Sequence, residues 1–486
     1  MMIYELPHPL DRKGQKEAFE YIINSPYRFV FVQAPTGSGK SAWVAEASKT
    51  LKTLVLVHTK SLQSANYQDS YGFDILYGKS NYPCLDWHNS KLGYRTDDCD
   101  IKGCGCPYYQ QFATCVDSER ASLNYAKYLR TRRFVELHNP DILFLDECHQ
   151  LPNIVTDYVG ITIRWDNEFV QWQPDSLSGE LEPERAISIL TDIWSRIAHS
   201  EPKKNRDLKR HRQWRYQLQK VETTLDLFSG KDWYFEATDE KITCKPLTAK
   251  YHFLPFFDTA PKVILMSATL NANLLASELG IDEYDTYTVP NVYPAPMRRI
   301  WDLNVPSMNY RSTEEDRDRQ AKIIADSIKS QPTHWSGVVH VTSKRQPCDD
   351  MAQRLRYNGI DIFIPPKEAP TEVQLQSWYR NRQPGRICIA WSFHEGVDLG
   401  DDQICITAKV PYASIAEGYE QARVDYSPEF YRQQTAWKLE QSVGRVRRGR
   451  LEHYIPSQKF VAVADRSWRG LKRLLSEDFK QSIKEL

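Results

Sequence analysis

The run Gln33-Ala34-Pro35-Thr36-Gly37-Ser38-Gly39-Lys40-Ser41 leaves this chain few folds to choose from. Phe29-Val30-Phe31-Val32 before it is an apolar run of strand size, and Ala42-Trp43-Val44-Ala45-Glu46-Ala47 after it suits a helix. Strand, glycine-rich turn and helix in that order make a phosphate cradle, because Gly37 and Gly39 let backbone N–H groups converge where the helix N-terminus adds positive charge. Lys40 is expected to neutralise the β- and γ-phosphates of a nucleoside triphosphate, and the Ser41 hydroxyl to ligate Mg2+. Ala34 replaces the usual first glycine of the pattern, a position that a small residue fills equally well. Ala34, Pro35, Thr36, Gly37, Ser38, Gly39, Lys40 and Ser41 are thus the candidate nucleotide-binding loop.

A second apolar strand, Asp141-Ile142-Leu143-Phe144-Leu145, delivers the acids Asp146 and Glu147, followed by Cys148 and His149. Ligands of open parallel α/β sheets bind at that edge. Asp146 is placed to hold Mg2+, and Glu147 to orient and deprotonate the attacking water. An acidic pair after a strand is often only a solvated cap, so the pairing with the phosphate loop carries the reading.

Between loop and acids stand five of the ten cysteines, Cys84, Cys99, Cys104, Cys106 and Cys115. Four thiolates, one per iron, are what a [4Fe-4S] cluster requires, and five candidates compete for four places. A structural zinc is the nearest rival, but zinc sites favour two close cysteine pairs. Disulfides do not suit an intracellular catalytic pattern without a secretory signal.

Further on come Met266-Ser267-Ala268-Thr269-Leu270, then Ala390-Trp391-Ser392-Phe393-His394-Glu395-Gly396-Val397-Asp398, then Gln441-Ser442-Val443-Gly444-Arg445-Val446-Arg447-Arg448. Arg445 and Arg448 share one helix face and read as arginine fingers that reach a γ-phosphate from a second domain. In isolation such a run would be a basic surface helix.

The ordered set resembles the superfamily 2 helicases. The stretches Gly78-Lys79-Ser80-Asn81-Tyr82-Pro83-Cys84, Cys106-Pro107-Tyr108-Tyr109 and Asn124-Tyr125-Ala126-Lys127-Tyr128-Leu129 narrow the resemblance to its XPD/DinG branch. This implies an α/β fold: two RecA-like parallel-sheet motor domains, an inserted cysteine-rich iron-sulfur domain and a mainly helical arch domain. The implied divisions are motor domain 1 at 1–77, 131–150 and 255–290, the cluster insertion at 78–130, the arch at 151–254, and motor domain 2 at 291–486. It further implies ATP-dependent unwinding of DNA, with 5′ to 3′ travel on a single strand.

Carried over by position, Arg12 and Gln15 would read adenine, Thr59 and Lys60 would contact the strand, Gln441 would sense the γ-phosphate, and Asp398 would join the nucleotide site. The resemblance selects Cys84, Cys99, Cys104 and Cys106 as cluster ligands. The tight spacing of Cys104 and Cys106 leaves open a set that includes Cys115. Cys148 stands where alanine is commoner in this branch, and His394 where tryptophan is.

Lysine plus arginine equals aspartate plus glutamate, 63 each, so nucleic-acid contact must come from local grooves and aromatic stacking rather than from a coat of positive charge. Lys203 to Arg215, which includes Trp214, is a candidate strand-tracking run or else a solvated helix face. Most of the tryptophans between 165 and 233 are expected in the core. Apolar runs are strand-sized and too short for a bilayer. The expected protein is a cytoplasmic monomer that binds single-stranded and forked DNA and works beside repair or replication proteins. The alternatives are an RNA helicase, an ATP-driven translocase that does not separate strands, and a scaffold with a relic nucleotide pocket.

Overall fold

The computed structural model describes residues 14–35, 37–85, 105–131, 134–172, 179–203, 207–291, 298–344, 346–394, 397, 399, 401–415, 418–444 and 459–485. Its first half is built on strands rich in Val, Ile, Leu and Phe whose residues are buried on both faces, the pattern of a parallel sheet covered on both sides. These are β1 (Phe29–Gln33), β2 (Thr53–Val57), β3 (Asp74–Leu76), β4 (Arg120–Asn124) and β5 (Ile142–Asp146). After an excursion through β6 (Ile161–Arg164), β7 (Gly179–Glu180), β8 (Trp233–Ala237) and β9 (Lys241–Pro246), the chain returns as β10 (Lys262–Ser267) and β11 (Tyr284–Thr288). The resulting seven-stranded sheet has the order β11-β1-β10-β5-β2-β4-β3 and is parallel throughout.

Side chains alternate between its two faces, as strand geometry requires. Phe29 and Phe31 face one core with Leu54, Leu143 and Leu265, while Val30 and Val32 face the other with Val55, Phe144 and Ile264. The chain leaves this sheet after β3 and has rejoined it by Arg120, so the last part of the expected cluster insertion, 78–130, holds a strand of the first sheet and the helix Tyr125–Arg130 that follows it. The alternation of Arg120 to Asn124 is too short to reveal that in sequence.

The second sheet comprises β12 (Ile300–Asp302), β13 (Gly337–His340), β14 (Ile362–Phe363), β15 (Ile387–Ala390), β16 (Ile404–Thr407), β17 (Phe460–Val463) and β18 (Ile483–Glu485). Its order is β14-β15-β13-β16-β17-β12-β18, again all parallel. The two RecA-like sheets of the sequence reading are therefore present.

The excursion carries two long helices, as its composition led one to expect, but also an antiparallel sheet, β6-β9-β8-β7. Ile161, Ile163, Phe235 and Ile242 of that sheet share a core with Ile189, Ile193, Ile197 and Val221 of the helices. Trp165 and Trp214 are buried, with indole N–H groups donating to the Thr238 and Ile197 carbonyls at 2.7 and 2.6 Å, whereas Trp194 is exposed. The aromatic of the basic run thus packs inward rather than offering a stacking surface. No described helix is long and apolar enough to cross a membrane.

Candidate nucleotide site between the two sheets

The phosphate loop joins β1 to α2 (Lys40–Ala47), with α1 (Gln15–Asn24) beside it. Gly39 caps α2 with φ +89°, a left-handed conformation that favours glycine, and a Cβ there would sit 1.8 Å from Gln15 Nε2, which would have to move. Gln15 braces the loop: its Nε2–H donates to the Ser38 carbonyl at 2.8 Å, and the Trp43 indole donates to the Gln15 carbonyl at 3.0 Å. The buried Ala34 donates its N–H to Ser267 O at 2.8 Å, which ties the loop to β10.

At the carboxyl end of β5, Asp146 is 5% exposed and its oxygen lies 3.8 Å from Lys40 Nζ, while Glu147 Oε1 lies 3.6 Å from the same nitrogen. Burial pushes the Asp146 carboxyl up to about 6; Lys40 opposes that shift and the Glu147 charge adds to it. Glu147 has φ +54°, a left-handed conformation that a non-glycine residue adopts at a cost of roughly 1–3 kcal/mol. The Tyr125 hydroxyl supports the turn by donating to the Asp146 carbonyl at 2.7 Å.

One cavity of about 1090 Å³ is lined by Pro35, Gly37, Ser38, Gly39, Lys40, Ser41, Asp146 and Glu147 from the first sheet and by Gln441 and Gly444 from the second. Thr59 and Lys60 lie on the same wall; Thr59 caps its own helix, and Lys60 Nζ donates to Asn81 Oδ1 at 2.8 Å. Gln15 is 2% exposed and spends its amide on the loop. Arg12, Thr36, Asp398, Arg445 and Arg448 lie outside the described residues.

The second sheet reaches this cleft through its helices. After α3 (Pro107–Asp117), α4 (Leu151–Val159), α5 (Pro183–His199), α6 (Leu208–Asp226) and α7 (Gly418–Tyr426) comes α8 (Pro428–Gly444), a helix buried on opposite sides. Ala436, Leu439 and Val443 pack into the second domain's core, whereas Phe430 and Trp437 enter the core of the first.

Along the side facing the first domain, Gln441 Nε2–H donates to His149 Nε2 at 3.0 Å, which places the ring proton on Nδ1, 2.9 Å from Ser267 Oγ. Asn271 Nδ2 donates to Gln433 Oε1 at 3.2 Å. His149 and Ser267 were present in the motifs without an assigned role; the position of histidine two residues after the acidic pair is the signal that could have found it. Glu440, beside Gln441, also lines the cleft; burial pushes its carboxyl up to about 7, and it accepts the Ser476 N–H.

The cysteines divide. Cys84 and Cys106 are buried, and Cys106 caps α3 with Pro107 in its first turn. Cys99 and Cys104 lie outside the described residues, and among the described residues no three metal-ligating side chains converge. Cys115 packs into the first motor core near Leu76, Leu123 and Leu129; burial pushes its thiol up to about 12, and Gln111 donates to its sulfur at 3.5 Å. The three stretches that suggested the XPD/DinG branch meet in space. Lys79 Nζ lies 3.3 Å from the Tyr109 hydroxyl, Tyr82 packs edge-on against Tyr108, and Lys127 Nζ donates to the Tyr108 hydroxyl at 2.7 Å.

Residues 331–453 match the helicase C-terminal domain family. No curated protein matches. Among solved structures the chain is similar to an XPD helicase, with a TM-score of 0.61 and 16% identity over 97% of this chain and 98% of that one. It is similar also to an apo XPD structure, at 0.59 and 17% over 97% and 99%, and to S. tokodaii Xpd4, at 0.56 and 13% over 97% and 98%. Residues 331–453 therefore resemble a helicase C-terminal domain, and the chain as a whole has the fold of these XPD structures.

Proposed function

We propose that this protein is an ATP-dependent DNA helicase that moves 5′ to 3′ on a single strand and separates duplex ahead of it. The observation that carries the reading is the cleft itself: Lys40, Asp146 and Glu147 of one sheet face Gln441 of the other across a single cavity. Lys40 grips phosphate oxygens, Glu147 takes the proton of the attacking water, and Gln441 with His149 reports the state of that site to α8. Ser41 and Asp146 would hold Mg2+, which supplies charge neutralisation on the phosphates when bound. Arg445 and Arg448, four and seven residues past Gln441 in sequence, would complete the site from the second domain.

A [4Fe-4S] cluster held by Cys84, Cys99, Cys104 and Cys106 belongs to the same proposal. Support comes from the cysteine count and spacing: four thiolates, one per iron, are what such a cluster requires. DNA repair or replication as the setting and a monomeric state belong to the same proposal, and a structural zinc is the less favoured alternative to the cluster.

The test is ATP turnover of wild-type protein and of Lys40→Ala, each with and without single-stranded DNA or RNA, together with separation of a labelled fork. Strand-stimulated turnover that Lys40→Ala abolishes while strand binding persists supports the site. Turnover without fork separation leaves a translocase, stimulation by RNA alone makes it an RNA helicase, and a wild-type protein inert towards ATP overturns the reading.

A further inference from the structure

The helix α4 begins directly after the Asp146-Glu147-Cys148-His149 turn, and its third residue, Asn153, is half-buried against the second motor domain. Asn153 Oδ1 accepts two hydrogen bonds, from Arg423 at 2.9 Å and from Gln434 at 3.0 Å. A carbonyl oxygen has two lone pairs, so one side chain can pin two partners. Those partners belong to different helices, Arg423 to α7 and Gln434 to α8, and Gln434 lies two turns before the Gln441 that bonds His149.

The N-terminal end of α7 is held as well. The Tyr419 hydroxyl donates to the Pro246 carbonyl at 2.8 Å, and a Cβ on Gly418 would lie 2.1 Å from the Tyr234 hydroxyl. The helix α7 thus meets β8 and β9 of the inserted domain near its N-terminus and Asn153 of α4 one turn further along the same face.

We propose that Asn153 is a positioning residue that transmits the state of the hydrolysis site to α7 and α8, and through α7 to the inserted domain. The proposal rests on the ATP-driven motor reading above. A shift of α4 that follows a rearrangement at Glu147 and His149 must either carry both helices with it or break two bonds at once. His149 and Gln441 register the chemistry at the cleft; Asn153 spreads that movement to a second helix and to the insertion.

The experiment compares wild type, Asn153→Leu and Asn153→Asp by ATP turnover with and without a single-stranded DNA oligonucleotide, with thermal melting of each. Leucine removes the acceptor at similar volume, while aspartate keeps it. The expected result is that Asn153→Leu keeps strand-free turnover within about twofold of wild type but loses about fivefold or more of the strand stimulation, and that Asn153→Asp restores it. The double variant Arg423→Met with Gln434→Leu should repeat the leucine phenotype from the other side of the junction, and serves if Asn153→Leu does not fold. Stimulation unchanged, or strand-free and stimulated rates falling by the same factor without rescue by aspartate, overturns the inference while the motor reading stands. A wild type without turnover removes the motor reading, and the inference falls with it.

Discussion

Gln441 Nε2 lies 3.0 Å from His149 Nε2, so a residue of the domain built on the second sheet touches the end of the acidic turn of the first. His149 in turn places Nδ1 2.9 Å from Ser267 Oγ on the neighbouring strand β10. Three segments far apart in sequence therefore share one imidazole, and the ring can hold only one tautomer that satisfies them all. Gln441→Ala should lower kcat for ATP by about tenfold or more while KM moves little, since the contact serves the reacting state more than ground-state binding. Steady-state turnover of this variant, with ATP binding measured separately, checks it; an unchanged kcat would remove Gln441 from the machinery.

Gly39 combines φ +89° with a neighbour, Gln15 Nε2, that a Cβ would displace from its bond to the Ser38 carbonyl. Gly39→Ala should fold, at a cost of about 2 kcal/mol from the strained backbone, and should lose ATP affinity by about tenfold or more as the loop shifts. Titration with a fluorescent ATP analogue reads the affinity. Wild-type binding by this variant would mean that the loop is not the phosphate site.

Iron content separates the cysteines. Cys84→Ser should purify without iron and lose strand separation while keeping part of its ATP turnover. Cys115→Ala should keep its iron and lose only about 1–2 kcal/mol of stability, because it vacates a small volume in the motor core. Metal analysis of anaerobically purified variants decides between them; iron lost from Cys115→Ala would place that thiol among the ligands.

Asp402, fully buried, accepts the Trp378 indole N–H at 3.0 Å, and burial pushes its carboxyl up to about 6 despite Arg382 nearby. A raised folded-state value means that the native chain holds the proton more tightly than the unfolded chain. The associated stability is therefore complete below about pH 4 and is lost as pH rises through about 6, to a maximum of about 3 kcal/mol. Asp402→Asn retains an acceptor for Trp378 and should flatten that decline. Urea midpoints measured from pH 4 to 7 test it, and parallel curves for the two proteins would assign the slope elsewhere.

Local chemistry made much of the site legible. The glycines of the phosphate loop must serve an unusual backbone, and acids after an apolar strand must stand at a sheet edge, so Lys40, Asp146 and Glu147 could be named from their neighbours alone. The antiparallel sheet of the insertion was harder to see, because β7 is two residues long and β6 four, too short for alternation to stand out. The strand β4 hid for the same reason, inside a stretch whose cysteines drew the eye. Trp214 sits within a basic run, and only packing shows that its ring turns inward.

The order of residues by itself determined the two parallel sheets and the glycine-rich turn between β1 and α2, because strand burial and loop conformation are set by neighbours a few positions apart. Only the tertiary structure decided which side chains cross between the domains. Gln441 and His149, or Asn153 with Arg423 and Gln434, become partners through the docking of α8 and α7 onto α4, and that docking is fixed by the burial of Phe430 and Trp437 in a core hundreds of residues away in sequence.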